Sequence, residues 1–272
     1  MPDRVPVVGQ GTWQMASGRD RGEEIAALRA GIARGLTHID TAELYGGAED
    51  LIAEAIRGIP RRDLFIVSKV LPGNASHAGT LRACEQSLRR LGIDYLDVYL
   101  LHWRCSVPLA ETMGALEELV DQGKIRALGV SNFDVADLEE ARALLQRHPI
   151  VCNQVLYHLN ERHIDAELVP YCRKHDIAVV GYSPFGHGRF PSPSSARGRV
   201  LAAVAARRGA TPRQIALAFL AREAPLFTIP KASSVAHAEE NGGALQLALD
   251  AHDIAEIDAA FPARTADELP VI

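Results

Sequence analysis

Short apolar runs alternate along this chain with longer stretches in which apolar residues recur every three or four positions. The short runs are typical of buried strands, and the longer stretches are typical of helices with one apolar face. The runs occupy residues 5–13, 36–42, 64–69, 96–102, 125–132, 151–155, 178–183 and 226–231. Eight strands that alternate with helices predict a parallel α/β fold, the closed (β/α)8 TIM barrel.

The helical pattern is clearest in two stretches. Residues 22–33 place Ile25, Leu28 and Ile32 on one face, and residues 108–122 do the same with Leu109, Met113, Leu116 and Val120. Asp134 precedes a third helical stretch, with Asp137 three residues later, and is expected to cap the helix after the fifth strand.

Length and charge narrow the function. The 272 residues suit one barrel domain spanning residues 1–272, since about 250 residues is usual for this fold. A net charge of -5 argues against a nucleic-acid surface, so a small-molecule partner is expected. We find no pattern of a signal peptide or a membrane span. The four cysteines are widely spaced, which predicts free thiols, no metal centre and a reducing, cytoplasmic setting.

Each predicted strand ends in a residue that could take part in chemistry. These residues are Trp13, Asp40, Lys69, His102, Asn132, Gln154, Tyr182 and Lys231. A solvated strand end explains any one of them, but all eight together would face one rim of the barrel.

Four residues form a set suited to carbonyl reduction. Hydride transfer to a carbonyl leaves negative charge on oxygen, so a proton donor must stand beside it. Tyr45 is the candidate donor, and Lys69 is expected to lower its pKa. Asp40 would hold the lysine, and His102 would orient the carbonyl. The same lysine could instead form an imine, as in a Schiff-base aldolase.

The ordered motifs resemble those of the aldo-keto reductases. They are GTW (11–13), HIDTAELYG (38–46), IVSK (66–69), LLHW (100–103), GKIRALGVSNF (123–133), NQVLYH (153–158), GYSPFG (181–186), TPRQIALAFL (211–220), IPKAS (229–233) and EEN (239–241). Gly9 and Gly11 also resemble the start of a dinucleotide-binding GxGxxG, but Gln14 replaces the third glycine.

The resemblance implies an NADPH-dependent reductase of aldehydes or ketones, with NADH as a second candidate cofactor. It implies that Asp40, Tyr45, Lys69 and His102 are the catalytic residues and that Trp13 and Trp103 line the substrate pocket. The cofactor residues that it implies are Gly11, Thr12, Asp40, Ser131, Asn132, Gln154, Tyr182, Ser183, Pro184, Phe185, Gly186, Lys231, Ser233, His237, Glu240 and Asn241. Tyr182 would stack on the nicotinamide, and residues 183–186 would receive the pyrophosphate.

Two positions and the length of the tail depart from the family pattern. His237 stands where arginine is common, which weakens the expected grip on a 2′-phosphate. Arg104 replaces a common proline, and either brings positive charge to the substrate entrance or points into solvent. Only ten residues follow Pro262, so an open pocket with broad aldehyde preference is expected.

Other interpretations remain open at this point. Residues 186–198 are either a mobile lid or a plain surface loop. The resemblance extends to potassium-channel β subunits, which makes a cofactor-binding regulatory subunit the alternative to an enzyme. The family is usually monomeric or weakly associated, and a monomer is expected here.

Overall fold

The structure is a computed structural model that describes residues 5–18, 20–264 and 269–271. Its strands are β1 (Gln10–Gly11), β2 (His38–Asp40), β3 (Phe65–Val70), β4 (Leu96–Leu101), β5 (Ile125–Ser131), β6 (Ile150–Leu156), β7 (Ala178–Tyr182) and β8 (Leu226–Thr228). All neighbouring pairs are parallel, and their order in the sheet is their order in the chain. The predicted (β/α)8 fold is confirmed.

The barrel closes between its last and first strands. The Gly9 amide donates to the Thr228 carbonyl at 2.8 Å, and the Thr228 amide donates to the Val7 carbonyl at 2.8 Å. Both regular strands are much shorter than predicted, and the pairing between the two segments consists of isolated bridges, Val8 with Thr228 and Gly11 with Lys231. Gly11 is required here, since a Cβ on it would lie 2.7 Å from the Ile229 carbonyl oxygen.

The helices are α1 (Arg21–Ala33), α2 (Ala48–Ala55), α3 (His77–Leu91), α4 (Leu109–Asp121), α5 (Val135–Leu144), α6 (Leu168–Lys174), α7 (Ala196–Arg208), α8 (Pro212–Leu220), α9 (Val235–Gly243) and α10 (Ala251–Ala260). The first eight helices lie between the strands in the chain, and α9 and α10 follow β8. The predicted bounds of α4 differ from these by one residue at each end. The predicted cap of α5 is also confirmed, because Asp134 accepts from the Asp137 amide at 2.8 Å in a capping box.

The buried face of α1 is wider than predicted. Leu28 is buried, and Ile25 and Ile32 are half-buried and pack against the same core, as predicted. Glu24, Ala27 and Gly31 also face inward. A glutamine from the barrel sets this orientation: Gln10 Nε2 donates to the carbonyls of Leu28 and Leu36 at 3.2 and 2.9 Å.

Two apolar clusters hold the site in place. Side chains of alternate strand positions, such as Val67, Val98 and Val180, form the cluster inside the barrel, and a larger cluster packs the strands against the helices. Lys69 follows Val67 by two positions, so it points to the same interior. No helix in the described residues is both long and apolar enough to cross a bilayer.

Candidate active site

An ion pair is buried at the end of the barrel where the strands terminate. Lys69 Nζ lies 2.6 Å from Asp40 Oδ1 and donates to the Thr41 carbonyl at 2.8 Å. The two side chains are 0% and 2% exposed. Their strands pair in register along β2 and β3, so the backbone itself brings the lysine to the aspartate.

Tyr45 reaches this pair from the turn after β2. Its amide donates to the Ala42 carbonyl at 3.0 Å, and its carbonyl accepts from the Ala48 amide at 2.8 Å. Both bonds fix the turn, and they place the Tyr45 hydroxyl 3.5 Å from Lys69 Nζ. The ammonium also lies 5.0 Å from the centre of the tyrosine ring.

The electrostatics of this group differ in part from the prediction. Burial raises the pKa of Tyr45 above 10, and this effect outweighs Lys69, which lowers that pKa as predicted. For Lys69, burial opposes the charged form, but Asp40 and Tyr45 together raise the pKa of the ammonium. At neutral pH the site therefore holds a protonated phenol beside a charged lysine.

His102 completes the set as a neutral ring. Burial and, to a lesser degree, Lys69 lower its pKa to about 3. Its ring meets that of Tyr45 edge to face, with centroids 5.8 Å apart. Its Nδ1 is enclosed and has no hydrogen-bond partner among the described residues, and the residue lines the cavity.

A rigid group of amide and hydroxyl side chains stands near the ion pair. Gln154 Nε2 donates to Asp40 Oδ2 at 2.7 Å, and Ser131 Oγ donates to the Gln154 carbonyl at 2.9 Å. Asn132 Nδ2 donates to the His102 carbonyl at 3.0 Å, while its Oδ1 accepts from the Tyr182 hydroxyl at 2.9 Å. These bonds fix which way each amide points.

These side chains share one cavity of about 790 Å³. Many of the predicted site residues line it: Gly11, Thr12, Trp13, Asp40, Tyr45, His102, Trp103, Ser131, Asn132, Gln154, Tyr182, Ser183, Pro184, Phe185 and Lys231. Lys69 is buried behind this surface and reaches it through Tyr45 and Asp40. The cavity is within the usual range for a cofactor site.

The remaining predicted cofactor residues lie beyond that lining. Lys231 Nζ donates to Ser233 Oγ at 2.9 Å, and His237 is exposed in the first turn of α9. Glu240 lines a second cavity of about 540 Å³ and already accepts from the Thr211 hydroxyl at 2.7 Å. Asn241 is buried in α9.

The loop predicted to receive the pyrophosphate offers fewer amides than expected. Pro184 has no amide hydrogen, and the Gly186 amide donates to the Ser183 carbonyl at 2.8 Å. Among the four residues from 183 to 186, the amides of Ser183 and Phe185 are the ones left as donors. Ser183 has φ 52°, a left-handed conformation that turns the chain sharply as it leaves β7.

The sequence did not identify several residues of the cavity mouth. Leu44, His187, Leu269 and Val271 line it, and His187 stacks on Trp13 with ring centroids 5.1 Å apart. Leu44 could have been found from its place beside Tyr45 in the motif. The other three depend on the paths of loops, for which the sequence carries no periodic signal.

The tail of the chain therefore reaches the cavity, although the open pocket that we expected was based on a tail too short to do so. Leu269 and Val271 contribute to the wall, although residues 265–268 and 272 lie outside the described part. Within the described residues we find no group of three or more His, Cys, Asp or Glu side chains placed to hold a metal ion.

Comparison with known proteins agrees with this geometry. Residues 7–261 match the profile of the Aldo/keto reductase family. The chain belongs to this family. Methylglyoxal reductase YeaE of Escherichia coli (strain K12) is 44% identical over 262 residues, which cover 95% of this chain and 92% of that protein. Glyoxal reductase of Bacillus subtilis (strain 168) is 35% identical, covering 94% and 88%.

A solved aldo/keto reductase structure supports the same assignment. The crystal structure of the aldo/keto reductase from Klebsiella pneumoniae in complex with NADP and acetate superposes with a TM-score of 0.89 at 43% identity. The match covers 98% of this chain and 96% of that one. As a member of the aldo/keto reductase family, the protein is an oxidoreductase.

Family membership and geometry together argue against the Schiff-base alternative. An imine requires a neutral lysine amine as nucleophile. In this aldo/keto reductase the Lys69 ammonium donates to Asp40 and to the Thr41 carbonyl, and its pKa is raised. Both effects keep the nitrogen protonated.

Proposed function

We propose that this protein reduces aldehydes or ketones to alcohols with NADPH and that Tyr45 is the general acid. The observation that carries the proposal is a tyrosine that lines a ligand-sized cavity while its hydroxyl lies 3.5 Å from the buried Lys69 Nζ. Burial raises the pKa of Tyr45, which keeps the phenol protonated until it reacts. Few other functions require a phenol that can lose its proton next to a fixed positive charge.

The residues at the cavity fit a nicotinamide cofactor. Gln154 keeps one amide hydrogen and the lone pairs of its Oε1. Asn132 Nδ2 donates both to the His102 carbonyl and to Ser131 Oγ, so this residue keeps only a lone pair on Oδ1. Together the two side chains can bind a carboxamide. Tyr182 lies in the same wall and offers a ring face. Lys231 and Ser233 suit a 2′-phosphate, with His237 one turn into α9. NADPH, when bound, supplies the hydride.

The chain's own residues manage the charge and the proton. His102 donates a ring N–H to the carbonyl oxygen and orients it towards Tyr45. As negative charge develops on that oxygen, the Tyr45 hydroxyl gives up its proton to it, and the phenolate that results is stabilised by Lys69. Asp40 keeps the lysine in place, and Gln154 holds the second oxygen of Asp40.

Two further assignments follow from the relatives and the thiols. Because a methylglyoxal reductase and a glyoxal reductase are among the similar proteins, we include small dicarbonyls among the candidate substrates. All four cysteines are free, and three of them are buried, which suits a reducing compartment such as the cytoplasm.

The test is fluorescence titration with NADPH and NADH, followed by an aldehyde and ketone panel that includes methylglyoxal, for the wild type and for Tyr45→Phe. We expect both proteins to bind NADPH with affinities within twofold. Turnover should fall by about 10²-fold to 10⁴-fold in the variant, the usual contribution of a general acid. Unchanged turnover in Tyr45→Phe would contradict the role of Tyr45 as general acid. Wild-type binding without turnover would favour the regulatory-subunit alternative.

A further inference from the structure

The mouth of the cavity combines an apolar wall with a charged edge. Among the large apolar side chains that are exposed in the described part of the chain, Trp13, Leu44, Trp103 and Val271 all line this cavity. Exposed apolar groups gathered at one opening mark a binding surface. They indicate a substrate whose body is apolar.

The charged edge lies beside Trp103. Arg104, Asp134 and Asp137 line the cavity, and Glu140 follows them on α5. Arg104 Nη1 lies 3.2 Å from Asp137 Oδ1 and 2.6 Å from Glu140 Oε2. One guanidinium is thus bound by two carboxylates, with a third carboxylate, Asp134, in the same wall.

This arrangement changes the meaning of Arg104. A free arginine at the entrance would attract a carboxylate or phosphate on the substrate. Here its positive charge is already matched, and Asp134 gives the edge an excess of negative charge. Hydrogen bonding to Glu140 and the nearby acidic groups also raise the pKa of Arg104, so the guanidinium stays charged.

Other charges near the reacting carbonyl do not offset this edge. Lys69 is buried and paired with Asp40, and burial keeps His102 neutral. Lys231 lies in the cavity wall but bonds to Ser233, in the part that we assign to the cofactor phosphate. An anionic group on the substrate would therefore meet Asp134 and Asp137 without a cation of its own.

We propose that the edge formed by Arg104, Asp134, Asp137 and Glu140 selects uncharged carbonyl substrates and rejects those that carry a carboxylate. The proposal rests on the proposed reductase function and specifies its substrate class. Arg104 acts as a specificity residue whose charge is withheld from the substrate by the two acidic residues of α5.

The test compares an anionic aldehyde with its neutral ester. The pair is 6-oxohexanoate and methyl 6-oxohexanoate, in which methylene groups separate the carboxyl group from the reacting carbonyl and keep their intrinsic reactivities alike. At low ionic strength we expect kcat/KM to favour the ester by about fivefold, the factor for one like-charge contact near 4 Å in water. The preference should lie in KM and should shrink in high salt.

Two variants release the arginine. Glu140→Gln should raise kcat/KM for the carboxylate by about fivefold and leave the ester within twofold, and adding Asp137→Asn should reverse the preference. Both changes keep the side-chain shapes, and the amide at position 137 can still accept the capping bond from the Asp134 amide. The matched control is Glu139→Gln, which removes the same charge from an exposed neighbour on α5.

The outcomes distinguish the proposed substrate selectivity from the proposed reductase function. Equal kcat/KM for the acid and the ester in the wild type would overturn the selectivity while leaving the reductase function intact. An equal gain in kcat/KM for the carboxylate from Glu139→Gln and Glu140→Gln would show that only the net charge of the protein matters. That result would overturn the role of Arg104. Failure of the wild type to oxidise NADPH with the neutral ester and with every other aldehyde would refute the proposed function instead.

Discussion

Replacing Lys69 by methionine is expected to destabilise the protein by about 3 kcal/mol, the lower end of the cost of breaking a buried ion pair. The change leaves the Asp40 carboxylate, 2% exposed, without its partner at 2.6 Å. Gln154 Nε2 still donates to Asp40 at 2.7 Å, which places the loss near the lower end. The Thr41 carbonyl also loses a donor. A domain with ordinary stability survives this loss and remains folded.

The assay is urea unfolding followed by far-ultraviolet circular dichroism, on the single variant and on Asp40→Asn/Lys69→Met. The double variant removes the unpaired charge, so we expect it to regain at least half of the lost free energy of unfolding while turnover stays abolished in both. The matched control is Lys124→Met, because Lys124 pairs with Glu85 at the surface, where the side chains are 32% and 42% exposed. That pair should contribute less than about 1 kcal/mol.

Two results would refute this reasoning. One is an equal loss of stability from Lys69→Met and Lys124→Met, which would mean that burial does not amplify the cost. The other is a double variant less stable than Lys69→Met. The expected pattern, recovered stability without recovered turnover, would show that at least half of the cost of Lys69→Met comes from the unpaired charge of Asp40, and that turnover needs the pair itself.

Three further predictions concern histidines, two that line the cavity and His237, which lies beyond its lining. Because burial lowers the pKa of His102 to about 3, kcat/KM should show no inflection from this ring between about pH 5 and 8, and an inflection near pH 6.5 that disappears in His102→Gln would contradict its neutral state. His187→Ala removes the stack on Trp13 and should speed NADPH release about threefold to tenfold in stopped-flow measurements, whereas an unchanged rate would show that the stack does not retain the cofactor. His237→Arg should tighten NADPH about fivefold relative to NADH in fluorescence titrations, and an unchanged preference would place His237 away from the phosphate.

The loop after β7 illustrates how local and tertiary contacts combine. Residues 186–198 were predicted as a mobile lid or a plain surface loop. In the structure His187 of this loop stacks on Trp13. The ring of Phe190 also meets that of Phe185 with centroids 5.7 Å apart. Arg213 of α8 lies 5.0 Å from the Phe185 ring. These contacts join the loop to the turn after β1, where Trp13 lies, and to α8.

The sequence alone determined the fold class, the order of the elements and the residues that converge at the rim. Hydrophobic periodicity and strand ends are local properties, and the parallel barrel brings every strand end to one side whatever the details of packing. For this reason Asp40, Tyr45 and His102 could be placed in one cavity before any coordinates were known, as the structure then showed.

Only the tertiary structure decided the charge states of the site residues and the partners of their side chains. The pKa of Tyr45 depends on how deeply the phenol is buried, and burial outweighs the lysine that the sequence does show. The sequence marks Arg104 as an unusual residue. Its ion pairs with Asp137 and Glu140, however, depend on where α5 lies relative to the loop after β4. Desolvation and pairing arise from distances between remote segments, and a linear pattern of residues does not contain those distances.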